Sequence, residues 1–171
     1  MAIQDLSIRR ADQGDAGAIH RVIEAAFRGL EGRGYSSVAI EAAIITPQEI
    51  AERLAEGGYV LVAEVDGQII GTATGLEEHQ SLHVCSVAVH PDCQGRGVAR
   101  LLMERLEALA RSLGCHKLFL QTAWAMTEAM ALYESLGYQR EGYQPRHFYG
   151  EDFILYGKVL EGALDDLQST G

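Results

Sequence analysis

Basic residues are the scarce class in this 171-residue chain: 14 lysines and arginines stand against 24 aspartates and glutamates, a formal charge of −10. Nucleic acid is held by clustered Lys and Arg, so this balance argues against a nucleic-acid partner, whereas an acidic field suits a cationic substrate. Cysteine is sparse too. Cys85, Cys93 and Cys115 are odd in number and lack C-x-x-C spacing, which argues against a disulfide framework and for a reducing compartment. No apolar run approaches the ~18 residues of a membrane span. Met1 to Asp5 lack the basic and apolar regions of a signal peptide, so the expected location is cytoplasmic, away from membranes. Repeats and low-complexity segments are also missing. What is present is ordinary for a globular chain, 47% apolar and 22% charged, and one domain is expected over residues 1–160 with a polar C-terminal tail at 161–171.

The pattern alternates strands and helices. Leu6–Arg9 reads as a short strand, and Asp12 with Asp15 can cap a helix whose apolar face is Ile19, Val22, Ile23, Ala26 and Phe27. Arg28 to Tyr35 reads as loop. Thr46-Pro47-Gln48-Glu49 is a helix start, with a capping Thr, Pro at the first helical position and Glu completing the box; Gly57-Gly58 ends it. Tyr59–Val65 and Gln68–Leu76 are strands joined by the hairpin signal Asp66-Gly67. Leu82–Val89 is the next strand. Val98, Leu101, Leu102, Leu106, Leu109 and Leu113 form the stripe of a long helix stopped by Gly114. Lys117–Thr122 is a strand that a helical crossover makes parallel to Leu82–Val89. A helix around Ala129–Leu136, closed by Gly137, and strands at Tyr138–Tyr143 and Asp152–Val159 complete the order β-α-α-β-β-β-α-β-α-β-β.

Between Leu82–Val89 and the long helix lies His90-Pro91-Asp92-Cys93-Gln94-Gly95-Arg96-Gly97. Strand, Gly-rich turn and helix N-terminus together make an anion cradle, because free backbone amides and the helix dipole point at one place. No Lys follows the glycines, which excludes a Walker loop, and Arg100 occupies the third-glycine position of a dinucleotide fingerprint. Gln94-Gly95-Arg96-Gly97-Val98-Ala99, preceded by Val87-Ala88-Val89-His90-Pro91, instead resembles the acetyl-CoA motif of the GNAT superfamily of N-acetyltransferases. Ala129-Met130-Ala131-Leu132-Tyr133-Glu134-Ser135-Leu136-Gly137-Tyr138 is similar to that family's A-x-x-L-Y-x-x-x-G-F/Y stretch. The element order is also that family's.

The resemblance implies a single-domain α/β (α+β) GNAT fold. Its mixed sheet of six to seven strands, with about four helices, splays between the fourth and fifth strands. It implies acetyl-CoA as co-substrate, with Val87, Ala88 and Val89 beside the pantetheine arm. Gln94, Gly95, Arg96, Gly97, Val98 and Ala99 would lie at the pyrophosphate, with Arg100 as a further contact. Tyr133 would reach the sulfur as general acid. The family's acceptor pocket maps to Phe27, Tyr35, Glu78 and Tyr149, with the aromatic connection Tyr143–Asp152 as part of its wall, and Phe148-Tyr149 followed by an acidic pair is similar to the hairpin of enzymes that acetylate protein N-termini. One departure stands out: Met126 occupies the position where the family usually has Asn. Homodimers are common in the family.

The expected reaction is direct attack of a primary amine on the thioester, the acceptor being a small amine such as a polyamine, amino acid or aminoglycoside. A peptide or protein amine is the alternative acceptor, and a CoA-binding sensor or scaffold the non-enzymatic one. For the general base, His83 and Glu77 are the candidates beside a water chain. Strand alternation places His83 and Cys85 on one face and Val84 and Ser86 on the other. Cys85 as nucleophile would need a lowered pKa. His79 and His83 have helical zinc spacing, but they fall at a strand, so no metal is expected.

Overall fold

The computed structural model describes residues 5–161, so most of the expected tail lies outside the described residues. The strands are β1 (Ser7–Arg10), β2 (Tyr59–Val65), β3 (Gln68–Glu78), β4 (Ser81–Val89), β5 (Lys117–Ala123), β6 (Gln139–Phe148) and β7 (Glu151–Val159). The helices are α1 (Ala16–Arg28), α2 (Ser37–Ala43), α3 (Pro47–Ala55), α4 (Val98–Ser112) and α5 (Thr127–Ser135). The seven strands form one sheet in the order β1-β2-β3-β4-β5-β7-β6, and β4–β5 is its parallel pair.

Local chemistry accounts for the element boundaries. Thr46 Oγ1 accepts from the Glu49 amide at 3.2 Å while the Glu49 carboxylate accepts from the Thr46 amide at 2.6 Å, closing the box that starts α3. Asp12 and Asp15 form the same reciprocal pair, here on a short 3-10 turn that leads into α1. At the β2–β3 hairpin Asp66 and Gly67 both take positive φ, the geometry a two-residue turn demands.

Each face of the sheet packs its own core. Leu61, Ala63, Leu82 and Val84 face α4 and α5, meeting Leu102, Leu106, Met130 and Tyr133. Val60, Val62 and Ala88 face the other way onto Ile19, Ile23 and Ile50 of α1 and α3. The start of α4 lies close on the sheet because Gly71 has no side chain: a Cβ there would stand 2.9 Å from Val98 Cγ1. Both lysines of the chain are paired, Lys117 to Glu141 and Lys158 to Glu107, each at 2.6 Å.

Three features differ from the sequence reading. Helix α2 is additional: it opens with Ser36 accepting from the Ala39 amide at 3.2 Å and buries Ala39 and Ile40. Seven residues with so few buried positions carry too little periodicity to signal a helix. Strand β6 extends five residues beyond Tyr143, because the hairpin turns tightly at Tyr149 and Gly150. Strand β4 carries a bulge. Thr74 pairs with Cys85 and Thr72 with Ala88, so Ser86 and Val87 together oppose Ala73, and Ser86 takes φ +52°. The simple alternation from His83 to Ser86 therefore fails: Ser86 turns to the α3 side with Cys85, and Leu82, Val84 and Val89 all reach the same core.

Candidate active site

The site follows from where β4 and β5 part. They pair from Ser81↔Lys117 to His83↔Phe119 and no further, whereas β4 stays with β3 to Val89 and β5 stays with β7 to Ala123. From Val84 and Leu120 onward the sheet is split. A cavity of about 220 Å³ fills the split. Val84, Leu120 and Tyr133 line it from the α4–α5 side; Cys85, Gln121, Phe27 and Ala39 line it from the α1–α2 side. The opening thus connects the two faces of the sheet.

The turn after β4 sits beside this split. His90 donates its backbone N–H to the Ile70 carbonyl at 2.8 Å, continuing the strand's last pairing, and the Cys93 amide returns to the His90 carbonyl at 2.8 Å. Gln94 is used within the turn: its amide donates to the Pro91 carbonyl at 3.3 Å and its side chain to the Val89 carbonyl at 3.0 Å. Gly95 and Gly97 then take φ +73° and +83°. The first bond of α4 runs from the Leu101 amide to the Gly97 carbonyl at 3.1 Å. Among the described residues the amides from Gly95 to Arg100 meet no backbone carbonyl, which leaves a concave set of donors at a helix N-terminus. A Cβ on either glycine would meet no protein atom within 4 Å, so the space in front of the turn is open. Arg100 bonds the Ser135 hydroxyl at 2.6 Å, joining the ends of α4 and α5.

Residues 33–138, more than half of the chain, match the model of the Acetyltransferase (GNAT) family. The chain belongs to that family. Its fold is similar to the PaiA N-acetyltransferase of Thermoplasma acidophilum, solved in complex with coenzyme A (TM-score 0.79, 14% identity, covering 91% of this chain and 99% of that one). It is also similar to YncA of Salmonella typhimurium, solved with acetyl-CoA (TM-score 0.75, 24% identity, 92% and 95% covered). A third similar structure is the ribosomal-protein-alanine N-acetyltransferase of Brucella melitensis (TM-score 0.72, 25% identity, 90% and 99% covered).

In this GNAT domain the candidates divide into those the cavity gathers and those it does not. Tyr133, Val87, Phe27, Tyr35 and Tyr149 all line it. Tyr133 is 6% exposed and packs against Tyr138 and Tyr156 at ring distances of 5.9 and 6.0 Å; burial pushes its phenol up to about 12. The Tyr35 hydroxyl is buried with no hydrogen-bond partner, and burial, with the Glu151 carboxylate and Tyr133 nearby, holds it well above the ordinary phenol range. Its loop is tied to the β6–β7 hairpin, the Ser36 amide donating to Glu151 at 2.9 Å. Burial also pushes the Cys85 thiol up despite Arg53 beside it, so Cys85 is a neutral thiol rather than a thiolate.

Glu77, Glu78 and His83 lie elsewhere. They fall where β4 and β5 are still joined, Glu77 opposite Leu82 and Glu78 opposite Ser81. His83 stacks on Phe119 at 4.7 Å and stands 3.5 Å from the Glu78 carboxylate. None of the three lines the cavity. Met126 does line it, and as the residue capping α5 it makes no side-chain cap. The sequence reading missed Ala39, Ala42 and Ala43 of α2, Gln121 of β5 and Phe153 of β7. The only cue among them was the aromatic run that ends near Phe153. Among the described residues, no group of three or more His, Cys, Asp or Glu is arranged to hold a metal, and no helix is long and apolar enough to cross a membrane.

Proposed function

We propose that the protein transfers the acetyl group of acetyl-CoA to a primary amine, and the observation that carries this reading is the split between β4 and β5. A cradle of free amides stands at one side of that split, and an aromatic chamber opens on the other. The pyrophosphate would rest on the amides from Gly95 to Arg100, with Arg96 and Arg100 at hand for further phosphate contacts. The pantetheine arm would pass along Val87–Val89 and place the thioester at the cavity.

The acceptor nitrogen then attacks the carbonyl carbon. A C–N bond forms, the C–S bond breaks, and negative charge collects first on oxygen and then on sulfur. A β4 backbone amide near Val87, freed from β5 by the splay and re-aimed by the bulge, is the oxyanion donor. Tyr133 supplies the proton to the leaving sulfur. With its phenol pushed up to about 12, it retains that proton through the neutral and mildly alkaline range. The amine must attack as the free base. Since neither His83 nor Glu77 lines the cavity, its proton leaves through water at the mouth.

The walls also bear on the acceptor. Phe27, Tyr35, Phe148, Tyr149 and Phe153 surround the chamber with Ala39, Ala42 and Ala43, and no carboxylate lines it among the described residues. A polyamine or aminoglycoside would leave several charges without counter-charge there. An amine next to a small apolar body, as in an amino acid or the first residue of a peptide, matches it better.

A panel of polyamines, amino acids, aminoglycosides and short peptides, scored by CoA release from acetyl-CoA, tests the reading. Release is expected with apolar amino acids or peptide N-termini, while a thermal shift with acetyl-CoA but no release with any amine would favour a CoA-binding scaffold. Tyr133→Phe should lower kcat about 100-fold or more with little change in CoA affinity. For the wild type, kcat/KM should rise with pH as the amine deprotonates, with no descending limb up to about pH 10, because the acid still holds its proton. Wild-type turnover in Tyr133→Phe would remove Tyr133 from the mechanism.

A further inference from the structure

The bulge in β4 poses a mechanical question. Ser86 sits at φ +52°, a left-handed conformation that residues with a side chain rarely adopt. Pairing with β5 has ended at His83, so on that edge no neighbouring strand holds the distorted backbone. On the reading above, this is also the stretch that must present an amide to the thioester carbonyl.

Among the described residues, one side chain from another element hydrogen-bonds it. Arg53, on the last turn of α3, donates from Nη1 to Ser86 Oγ at 2.7 Å and stands 3.7 Å from Cys85 Sγ. Among the described residues no carboxylate lies within ion-pairing distance of this guanidinium. Its support is firm. Ile50, three residues earlier and hence on the same helix face, is 1% exposed in the α1–α3 core. The Gly58 amide caps the Arg53 carbonyl at 2.8 Å, in a turn so tight that a Cβ on Gly58 would stand 2.8 Å from that same oxygen. Arg53 itself does not line the cavity.

We propose that Arg53 is a positioning residue for acetyl transfer: it clamps the Ser86 hydroxyl and so holds the β4 bulge in the shape that aims its amides into the split. The inference rests on the acetyl-transfer reading and adds to it a residue that touches neither substrate. The partly buried cation also lies beside the region where negative charge develops, but its route of action is through Ser86.

The test is a double-mutant cycle in the full-length protein. Arg53→Met keeps the apolar stem and removes the donor. It should lower kcat about 10-fold while the acetyl-CoA KM, and the thermal shift given by acetyl-CoA, stay within about twofold. Arg53→Lys, which restores a donor, should recover part of that loss. Ser86→Ala should itself lower kcat about 10-fold, and in that background Arg53→Met should change kcat by less than about twofold, because the hydroxyl it acts through is gone. A role confined to the stability of α3 would cost the same factor in every background, and direct acceptor binding would raise the acceptor KM alone; either result overturns the proposal. If Arg53→Met fails to fold, Ser86→Ala carries the test by itself: wild-type kcat in that variant overturns the proposal.

A readout that needs no acceptor is the carbonyl stretch of bound 13C-labelled acetyl-CoA. It should lie below the free value in the wild type and return toward it in Arg53→Met, and an identical band in both proteins overturns the clamp. No thermal shift and no displaced band in the wild type would instead sink the acetyl-CoA reading itself, and the clamp with it.

Discussion

The two sides of the β4–β5 split are built on different principles. The cradle is continuous in sequence, Val89 to Arg100, and its chemistry is main-chain: free amides, a helix terminus and two glycines at positive φ. The chamber is assembled from side chains of α1, α2, β4, β5, α5 and the β6–β7 hairpin, and its character comes from rings and methyl groups. Backbone recognition tolerates many side-chain changes but few conformational ones. Side-chain recognition has the opposite sensitivity, so substitutions at the two ends should have separable effects.

The strongest break in that comparison is Gly97→Val. Its φ of +83° excludes a β-branched residue without strain, yet a Cβ there would meet no atom of the surrounding protein within 4 Å. A folded protein with CoA affinity reduced by more than about 100-fold is expected, measured by calorimetry; retained affinity would show that the ligand does not lie on this turn. A smaller effect is expected from Tyr149→Ala on the hairpin, which removes a 61%-exposed ring that lines the chamber. The acceptor KM should rise about 10-fold with CoA binding unchanged. Equal losses for both substrates would mean that the ends are not separable. The mildest test is Met126→Asn. Met126 caps α5 without a side-chain bond, and an amide there should add about 1 kcal/mol, or roughly 2–4 °C in Tm. A lowered Tm would show that Met126 is worth more as an apolar wall than an amide is as a cap.

The same contrast explains what could be read in advance. Features that depend on adjacent residues were legible: the Thr46–Glu49 box, the Asp66-Gly67 turn, the Gly95 and Gly97 cradle, the parallel placement of β4 and β5. A local pattern also pointed to Tyr133, which lines the cavity. Features that depend on distant residues meeting were not. Glu77, Glu78 and His83 looked suited to a site by residue type, but the strands are still paired where they stand. The bulge left no mark, because Leu82 to Val89 alternates acceptably and contains no glycine; a Ser at φ +52° is invisible until its neighbours are placed. Arg53 was one more charged residue on an amphipathic helix, and nothing local connects it to a serine 33 residues on.

The two lysines have one more consequence. A thioester held in a cleft is an electrophile toward any free amine that reaches it, including amines of the protein that holds it. Lys117 and Lys158 are the chain's only lysines, and each side-chain nitrogen donates to a glutamate carboxylate at 2.6 Å. Acid-rich and lysine-poor, the protein offers its own acyl donor few side-chain amines with which to react.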